Sequence, residues 1–479
     1  MAVTVLALVL GVAAAGAITP KPQQVLSDAS TQPGGASQGV ALGNQANGPA
    51  ISAPTGAGSN PVSPSSAGPS VTQAATATRP TATRRNAIYD PGVTDTTITI
   101  GGSTFTSGGA AVYGEQIAVG FAAGVDYINT HGGINGRRVI LKIYDDGADP
   151  AKQLENTKRL VEVDKVFALS MVYAATTGDY VASKGFPVFH LGQFDQEFTN
   201  PWWFPLGGPQ SLAAMSLSNY GARTLGAKSA AIFYIDAGAG AYSKAFADQV
   251  ARDWEAYGVK VPVEAAFSPT QTSCSNALSA ATAAKVDFID FEIDASKVIN
   301  CGVSAQVQGY KPPKGWGGYL IGVPVIWQAL GDYSIGMYAF DAFGALYNFP
   351  DYRAEVKKIS SKTDWDSSVT ASYFYSALLM RDAIAKLGDN ITRQRLKDVL
   401  NTFQNWQPGV TSDPNQPTWT WTPQCHAALH GGYVIQIRKH PDGFLAWDQI
   451  TPQFASTPLP PGFSTPAEFA GCPGLFSKG

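Results

Sequence analysis

The chain has few charged residues, and its basic residues are scattered. Of 479 residues, 14% are Asp, Glu, Lys or Arg, and the formal net charge is -3. No long run of Lys and Arg offers a surface that could follow a phosphate backbone, so the composition gives no indication of nucleic-acid binding. Because 44% of the residues are hydrophobic, a chain of this length can bury more than one core, and it suits two domains with additional terminal segments.

Motifs for catalysis and for metal binding are also scarce. The five histidines have no G-x-S-x-G nucleophile elbow near them. Cys425 and His426, with His430, lack the second cysteine at short spacing that a zinc site requires. Asp145 and Asp146 do not have the twelve-residue spacing of a calcium-binding loop. We therefore predict no catalytic residue, no bound metal and no cofactor.

Two further positions have both a structural and a functional interpretation. Gly238 and Gly240 follow a predicted strand and resemble the start of a dinucleotide fingerprint, but Ser243 stands where the third glycine belongs, which favours a plain helix N-terminus facing a cleft. His190 ends a predicted strand where ligand-binding loops form. For this side chain a hydrogen-bonded structural role and ligand contact both remain open.

Cysteines are few but even in number, at Cys274, Cys301, Cys425 and Cys472. Four cysteines in a chain that is exported indicate two disulfides, and they allow three connectivities. Pairing of sequence neighbours is the simplest of the three. It would join Cys274 to Cys301 across a helix-strand-helix unit and Cys425 to Cys472 near the C-terminus.

The N-terminal segments indicate export and tethering. Residues 1–19 are small and apolar and end in an A-x-A-like site at residues 15–17, which is typical of a secretory signal peptide or a thin membrane anchor. Residues 20–88 consist mainly of Pro, Gly, Ser, Ala and Thr and contain few large apolar side chains. Such a composition cannot offset the entropy cost of folding, so we predict a disordered tether there.

The folded part begins with alternating strands and helices, organised around residues 129–152. Gly132 and Gly133 end a predicted helix, residues 139–144 form a buried strand, and Asp149-Pro150 provides the N-cap and first turn of the next helix. Further strands are predicted at residues 97–101, 166–169 and 187–190, with helices at residues 117–128 and 176–183. This alternation predicts a parallel sheet covered by helices on both faces.

The same plan restarts after the aromatic segment at residues 201–205. Strands are predicted at residues 230–235, 259–266, 287–291 and 318–321, with helices between them. A later helix at residues 373–387 and a hairpin at residues 432–447 complete the pattern. The sequence therefore predicts an α/β fold with two Rossmann-like lobes, joined by a hinge and facing each other across a ligand cleft at the carboxyl ends of their strands.

Several of these segments together resemble a known family. They are G-V-T-D-T-T-I-T-I-G from Gly92, G-G-I-N-G-R-R-V-I-L-K-I-Y-D-D from Gly132, Asp149-Pro150, and V-F-A-L from Val166. Over residues 92–447 the chain is similar to type I periplasmic solute-binding proteins of the Leu/Ile/Val-binding branch. The second half matches mainly by pattern.

The resemblance implies a function as well as a fold. It implies an extracytoplasmic protein, secreted or tethered to the cell surface, that closes its cleft on a small organic solute and delivers it to the membrane permease of an ABC importer. We expect a monomer with no enzyme activity. A sensor ectodomain of the same fold is the alternative, and an exported α/β hydrolase is a third possibility. The expected boundaries are residues 89–208 and 346–430 for the first lobe, 209–345 for the second lobe, and 431–479 for the closing hairpin and tail.

The resemblance also indicates, by their position in the chain, which loops would contact the ligand. In amino-acid binders of the family, the loop after the V-F-A-L strand holds Ser and Thr groups that bind the ligand carboxylate, whereas this chain has M-V-Y-A-A at residues 171–175. This departure argues against an ordinary α-amino acid and favours a larger or more apolar solute. The residues that we predict to face the cleft are Ser107, Tyr173, Thr176, Gln193, Phe194, Tyr242 and Asp294.

Overall fold

The structure is a computed structural model that describes residues 87–107, 111–192, 195–236, 243–319, 321–409, 417–429 and 431–478. The predicted signal peptide or anchor at residues 1–19 lies outside the described residues, and so does the predicted tether at 20–88 except for its last two residues. In the part of the chain that is described, a search for a helix with the length and hydropathy of a membrane span finds none.

Strands and helices alternate along most of the described chain. The strands are β1 (Ile88–Tyr89), β2 (Thr97–Thr104), β3 (Arg138–Asp145), β4 (Ala168–Ser170), β5 (Val188–His190), β6 (Trp203–Pro205), β7 (Ser229–Ile235), β8 (Lys260–Phe267), β9 (Phe288–Glu292), β10 (Gly315–Gly318), β11 (Tyr338–Asp341), β12 (Asn390–Ile391), β13 (Tyr433–Lys439), β14 (Leu445–Gln449), β15 (Thr457–Leu459) and β16 (Phe476–Lys478). The α-helices are α1 (Ala111–Thr130), α2 (Pro150–Glu162), α3 (Ala174–Lys184), α4 (Asp195–Thr199), α5 (Gln210–Arg223), α6 (Lys244–Ala256), α7 (Ser275–Ala283), α8 (Ala295–Gln308), α9 (Val325–Leu330), α10 (Pro350–Ile359), α11 (Ser368–Ala385) and α12 (Arg393–Leu400).

The first lobe is built on a five-stranded parallel sheet in the order β3-β2-β4-β5-β6. Local signals in the sequence set its elements, as predicted. Gly132 and Gly133 adopt positive φ angles of 94° and 71° after the end of α1, a backbone conformation that glycine accepts without strain. The Asp149 carboxylate caps α2 by accepting from the backbone N–H groups of Ala151 (2.8 Å) and Lys152 (3.2 Å).

The second lobe is built on a seven-stranded sheet in the order β14-β13-β11-β10-β9-β7-β8. Strands β7 to β11 are parallel to one another, and the hairpin of β13 and β14 adds two antiparallel strands at one edge. The two sheets together form the two-lobe α/β architecture that the alternating pattern predicts.

Helix α11 belongs to the first lobe although it follows most of the second lobe in sequence. It packs along α1, and two glycines of α1 allow the helices to approach closely. A Cβ at Gly120 would lie 2.3 Å from the carbonyl oxygen of Thr370, and a Cβ at Gly124 would lie 2.7 Å from the carbonyl oxygen of Phe374. The chain passes between the lobes at residues 206–209 and 342–349, and it returns to the second lobe before β13.

The structure differs from the sequence prediction at three strands of the two large sheets, one of which, β11, was not predicted at all. The segment at residues 201–205, interpreted as a break, contains the edge strand β6, in which Trp203 and Phe204 are fully buried. The strand predicted at residues 318–321 lies three residues earlier, as β10. Glycine-rich β10 was missed because glycine is a poor strand former in isolation. Here a Cβ at Gly318 would lie 2.2 Å from the carbonyl oxygen of Phe291, so close packing of neighbouring strands requires glycine.

Two disulfides are present, and each joins sequence neighbours, as the simplest pairing predicted. Cys274–Cys301 links the residue before α7 to α8 in the second lobe. Cys425–Cys472 fastens the C-terminal tail beside Phe198 and Phe469.

Candidate functional site

A cavity of about 100 Å³ lies between the lobes, where the carboxyl ends of their parallel strands face each other. It is smaller than the ~150 Å³ enclosed cavity that takes up benzene, so this conformation has room only for a compact group. The side chains and backbone around it come from both lobes: Phe105, Tyr113, Ile117, Tyr173, His190, Leu191, Gly207, Gly208, Asp294, Tyr319, Val323, Phe340, Asp341, Ala342, Ser368, Val369, Ser372 and Tyr373.

Tyr173 reaches the cavity because the chain turns sharply after β4. Met171, the first residue after that strand, has a positive φ of 61°, an uncommon conformation for a residue with a side chain. Tyr173 then precedes α3, and its ring is stacked at 6.2 Å from Phe105 and lies edge-on at 5.1 Å from His190. Burial raises the pKa of Tyr173 well above its usual value, so this side chain presents a neutral phenol.

His190 is held in a defined orientation at the end of β5. Its Nδ1 accepts a hydrogen bond from the backbone N–H of Gly192 (2.9 Å), so a neutral imidazole in this position carries its proton on Nε2. Gly192 has a φ of 77°, and a Cβ there would lie 2.3 Å from the side chain of Pro205. The buried Glu197 carboxylate lies 3.6 Å from Nδ1. The turn at Gly192 therefore leaves Nε2 as the available ring nitrogen.

Two buried polar atoms of the lining have no hydrogen-bond partner among the described residues. They are Nε2 of His190 and Oγ of Ser372, and both side chains are at most 1% exposed. A buried polar group without a partner costs about 1 to 3 kcal/mol, so such groups are rare unless something else satisfies them. A bound solute with a polar atom would do so, because both residues line the cavity.

The second lobe contributes two carboxylates with different surroundings. Asp294 caps α8 and forms an ion pair with Lys297 (2.8 Å). Burial is the largest single influence on its pKa and acts to raise it. The ion pair with Lys297 and the capping hydrogen bonds together outweigh burial, so the pKa of Asp294 is lowered. Asp341 is buried at the end of β11, and burial raises its pKa to about 6. It accepts hydrogen bonds from neutral groups, the backbone N–H groups of Phe343 (2.7 Å) and Gly344. Within the described residues Asp341 has no cationic partner.

Tyrosine hydroxyls connect the two lobes around the cavity. The hydroxyl of Tyr113 on α1 accepts from the backbone N–H of Ala295 (3.0 Å) at the start of α8. The hydroxyl of Tyr319, which follows β10, donates to the carbonyl oxygen of Gly208 (2.9 Å) between the lobes. These contacts link the two lobes beside the cavity.

The predicted cleft residues fall into three groups in the structure. Tyr173 and Asp294 line the cavity. Ser107 instead donates its hydroxyl to Asp145 (2.6 Å) on the surface of the first lobe, and Thr176 lies in α3 outside the lining. Gln193, Phe194 and Tyr242 lie outside the described residues.

Sequence reasoning missed most of the aromatic lining. Tyr319 and Phe340 lie at or just after strand ends in the second lobe, so a correct placement of β10 and β11 would have indicated them. Ser372 and Tyr373 lie in the first turns of α11, far along the chain from the strands that they face. Nothing in the local pattern distinguishes them from ordinary core positions. In the described part of the chain, no group of three or more His, Cys, Asp or Glu side chains is arranged to hold a metal ion.

Comparison with known proteins identifies the class to which this fold and cavity belong. The family model described as "Periplasmic binding protein" matches residues 97–442, which include both sheets except for the end of the closing hairpin. The chain belongs to this family of periplasmic binding proteins.

Solved structures share the two-lobe fold at low sequence identity. A "Fatty acid ABC transporter substrate-binding protein from Thermomonospora curvata" is 17% identical with a TM-score of 0.64, over 80% of this chain and 98% of that one. A branched-chain amino acid ABC transporter protein from Thermus thermophilus with bound valine is 15% identical with a TM-score of 0.65, over 75% and 97%. A solute binding protein from Rhodopseudomonas palustris BisB5 in complex with 3,4-dihydroxy benzoic acid is 17% identical with a TM-score of 0.64, over 75% and 97%.

A curated relative shares a shorter segment. "Leu/Ile/Val-binding protein homolog 3" from Brucella melitensis biotype 1 is 35% identical over 81 residues, which are 17% of this chain. The alignment spans about a fifth of that relative, 21% of its length.

Proposed function

We propose that this protein is an extracytoplasmic solute-binding protein that captures a small organic solute between its lobes and delivers it to the permease of an ABC importer, without catalysis. The observation that carries the proposal is the cavity between the lobes at the carboxyl ends of both sheets, with two buried polar atoms, on His190 and Ser372, that have no partner among the described residues. Membership of the periplasmic binding protein family supports the same function.

Binding would be coupled to closure of the lobes. A solute that contacts both walls stabilises the closed arrangement relative to the open one by its difference in affinity for the two states. The contacts from Tyr113 to Ala295 and from Tyr319 to Gly208 already join the lobes in the closed state. Because the cavity of about 100 Å³ is small, a bulkier solute would hold the lobes further apart.

The lining favours a solute that is more apolar than an amino acid. Tyr173 occupies the place of the hydroxyl donors that bind a ligand carboxylate in amino-acid binders, and its neighbours in the lining are mostly aromatic and aliphatic. We assign Tyr173 and Asp294 to the ligand site by their position, with His190 and Ser372 as hydrogen-bonding groups. Ser107, Thr176, Gln193, Phe194 and Tyr242 remain predictions from the family's loop positions.

The domain boundaries and setting complete the proposal. We propose that residues 89–208 and 346–430 make the first lobe, that residues 209–345 make most of the second, and that the hairpin and tail at 431–479 close the fold. Residues 1–19 would direct export or anchor the chain, and residues 20–88 would tether a monomeric domain at the cell surface.

A thermal-shift screen of the purified protein tests this function. The panel contains amino acids, amides, aromatic acids, organic amines and sterol-like compounds. A ligand at about 100 times its Kd stabilises the folded state by about 2.7 kcal/mol, which gives a clear shift in Tm. If no compound shifts Tm, the proposed solute binding is wrong, and if leucine gives the largest shift, the argument from Tyr173 is wrong.

A matched pair of histidine variants sharpens the test. His190→Gln removes the ring N–H that faces the cavity, whereas His440→Gln changes a histidine paired with Asp448 (2.9 Å) on the surface of the second lobe. We expect His190→Gln to weaken binding of the identified solute about tenfold, the usual effect of losing a hydrogen bond in a buried site. His440→Gln should leave the affinity unchanged. Turnover of an ester or amide that His190→Gln abolishes would contradict the absence of catalysis.

A further inference from the structure

The cavity combines aromatic rings with negative charge. Six of its described lining residues are aromatic: Phe105, Tyr113, Tyr173, Tyr319, Phe340 and Tyr373. The face of an aromatic ring carries partial negative charge and attracts a cation that has lost its water, most strongly in an enclosed site. An apolar solute would also pack against these rings, so the surrounding charges decide between the two.

Those charges are predominantly acidic. Asp341 and Asp294 line the cavity, and Glu197 lies behind His190. Among the described lining residues there is no Lys or Arg. Lys297 stands next to the site, but it is already paired with Asp294 and also donates to the carbonyl oxygen of Pro269 (3.0 Å).

The tyrosines respond to this negative field. The pKa of Tyr319 is raised by burial first and then by several carboxylates, with Asp341 the strongest of them. Tyr113 is affected in the same way by burial and by Asp294. A phenol is also harder to ionise where the potential is negative, so the contributions of Asp341 and Asp294, which come second to burial, agree with a cavity that disfavours anions.

Asp341 is a buried carboxyl of the cavity lining that has no counterion among the described residues. It is 4% exposed, and its partners among the described residues are neutral groups. A buried carboxylate is costly unless it is paired, so a cation bound beside it would offset part of that cost. His190 Nε2 and Ser372 Oγ add hydrogen-bonding groups for a polar substituent on the same molecule.

We propose, on the basis of the solute-binding function above, that the solute is an organic cation with a compact alkylammonium head group, held against the aromatic rings and balanced by Asp341. A hydroxyl or carbonyl on the solute accepts from His190. Carboxylate solutes are disfavoured because Asp341 lines the cavity without a cationic partner and none of the described lining residues is Lys or Arg.

Three probes of nearly the same shape test the sign of the charge. Choline, 3,3-dimethylbutan-1-ol and 3,3-dimethylbutanoate are a cation, its neutral isostere and a related anion. Affinities are measured by calorimetry at about pH 8, where Asp341 is ionised. We expect choline to bind about tenfold more tightly than the alcohol, as a desolvated cation–π contact and a charge pair predict, and the carboxylate not to bind.

Variants separate the two contributions. Asp341→Asn keeps the shape and should lower the affinity for choline about tenfold while changing that for the alcohol less than about twofold. Phe340→Leu should weaken choline more than the alcohol, because it removes a ring but keeps an apolar surface. Asp290→Asn is the control, since Asp290 is a buried carboxyl of the same sheet, on strand β9 and outside the lining.

The outcomes distinguish this proposal from the solute-binding function itself. If the alcohol binds as tightly as choline, or the carboxylate binds best, the cation proposal is overturned while solute binding stands. The same holds if no organic cation binds but another compound of the thermal-shift panel does. An equal loss of choline affinity in Asp341→Asn and Asp290→Asn would also overturn it, because the effect would then reflect general stability.

Discussion

Asp146 in the first lobe and Asp290 in the second are both buried carboxyls at a parallel sheet, but they have different numbers of hydrogen-bond donors. Asp146 accepts from the hydroxyl of Ser103 (2.8 Å), the N–H of Ala148 (3.0 Å) and the amide of Gln153 (3.3 Å). Asp290 accepts from the indole of Trp254 (2.8 Å), and its second oxygen has no partner among the described residues. Burial raises the pKa of Asp146 to about 6 and that of Asp290 to about 7.

The difference extends beyond this pair. In the second lobe Glu292 follows on the same face of β9, and its pKa is raised well above its usual value by burial first and then by Asp290. Burial also raises the pKa of Asp253 to about 7. In the first lobe burial has the opposite effect on a basic group, because it lowers the pKa of His426 to about 4 and so favours the neutral imidazole. The comparison teaches that the number of donors decides how far burial raises the pKa of a carboxyl: Asp146 has three donors, whereas the carboxyls of β9 in the second lobe have fewer and are shifted further.

The largest expected effect is therefore a loss of stability as the pH rises. A carboxyl whose folded pKa lies above its unfolded value contributes stability that is complete below about pH 4 and is lost as the pH passes the folded value near 7. With Asp253, Asp290 and Glu292 together, we expect the free energy of unfolding to fall by about 4 kcal/mol or more from about pH 5 to about pH 8. Urea denaturation across this range measures it.

A control assigns the effect to the second lobe. Glu292→Gln keeps the shape of the side chain but removes its titration, so the pH dependence of the variant should be flatter than that of the wild type. Gln210 already donates to Glu292 (3.0 Å) and can donate to the new amide oxygen. An unchanged slope in Glu292→Gln would show that the lobes do not differ in the way proposed.

Loss of each disulfide is the next largest effect. The second-lobe bridge Cys274–Cys301 spans 27 residues and the tail bridge Cys425–Cys472 spans 47. The chain-entropy relation predicts a cost of about 3.5 kcal/mol for removing the first and about 4 kcal/mol for the second. Double Cys→Ser variants, compared by urea denaturation, measure both values. A much larger loss for the shorter loop would show that packing in the second lobe, and not loop entropy, dominates.

The sequence predicted the scaffold better than the site because the two depend on different distances along the chain. Some helix ends are determined by residues at the end itself, such as Gly132 and Gly133 after α1 and Asp149 before α2. The positions of these residues in the sequence are therefore enough to predict the elements of the first lobe around them. Strand β10 depends on how closely Gly318 approaches Phe291 of another strand, and no local pattern contains that information.

The candidate site shows the same limit more strongly. Tyr173 and Asp294 were predicted from the positions of the family's ligand loops, which follow strands, and strand ends meet at the edge of a parallel sheet. Ser372 and Tyr373 line the cavity with His190 only because α11 returns to the first lobe after most of the second lobe. The free Nε2 of His190 depends in turn on a single backbone N–H, which the sequence does not orient.

A glycine substitution tests the packing of the returning helix in the first lobe. Gly120→Ala places a Cβ against the Thr370 carbonyl, which is backbone and cannot move aside, so we expect a loss of about 2 to 3 kcal/mol. Gly178→Ala is the control, because the nearest atom to the added Cβ, in Ala174, lies 3.7 Å away. Alanine is the better helix former by about 0.5 to 1 kcal/mol, so this variant should be stabilised. Chemical denaturation should show opposite signs, and equal effects would contradict the close contact of α11 with α1.

The smallest expected effect concerns Ser372, where the two lobes meet. Its hydroxyl is buried without a partner among the described residues, so Ser372→Ala should raise the free energy of unfolding by about 0.5 to 1 kcal/mol in the absence of solute. Ser376 is the matched control on the same helix, since its hydroxyl donates to the carbonyl oxygen of His190 (3.4 Å) and Ser376→Ala removes that bond. Ser376→Ala should therefore destabilise slightly. If Ser372→Ala stabilises the fold and also weakens solute binding, the hydroxyl serves the ligand at a cost to stability. If Ser372→Ala instead destabilises the protein and leaves the affinity normal, the hydroxyl is an ordinary part of the first lobe's core.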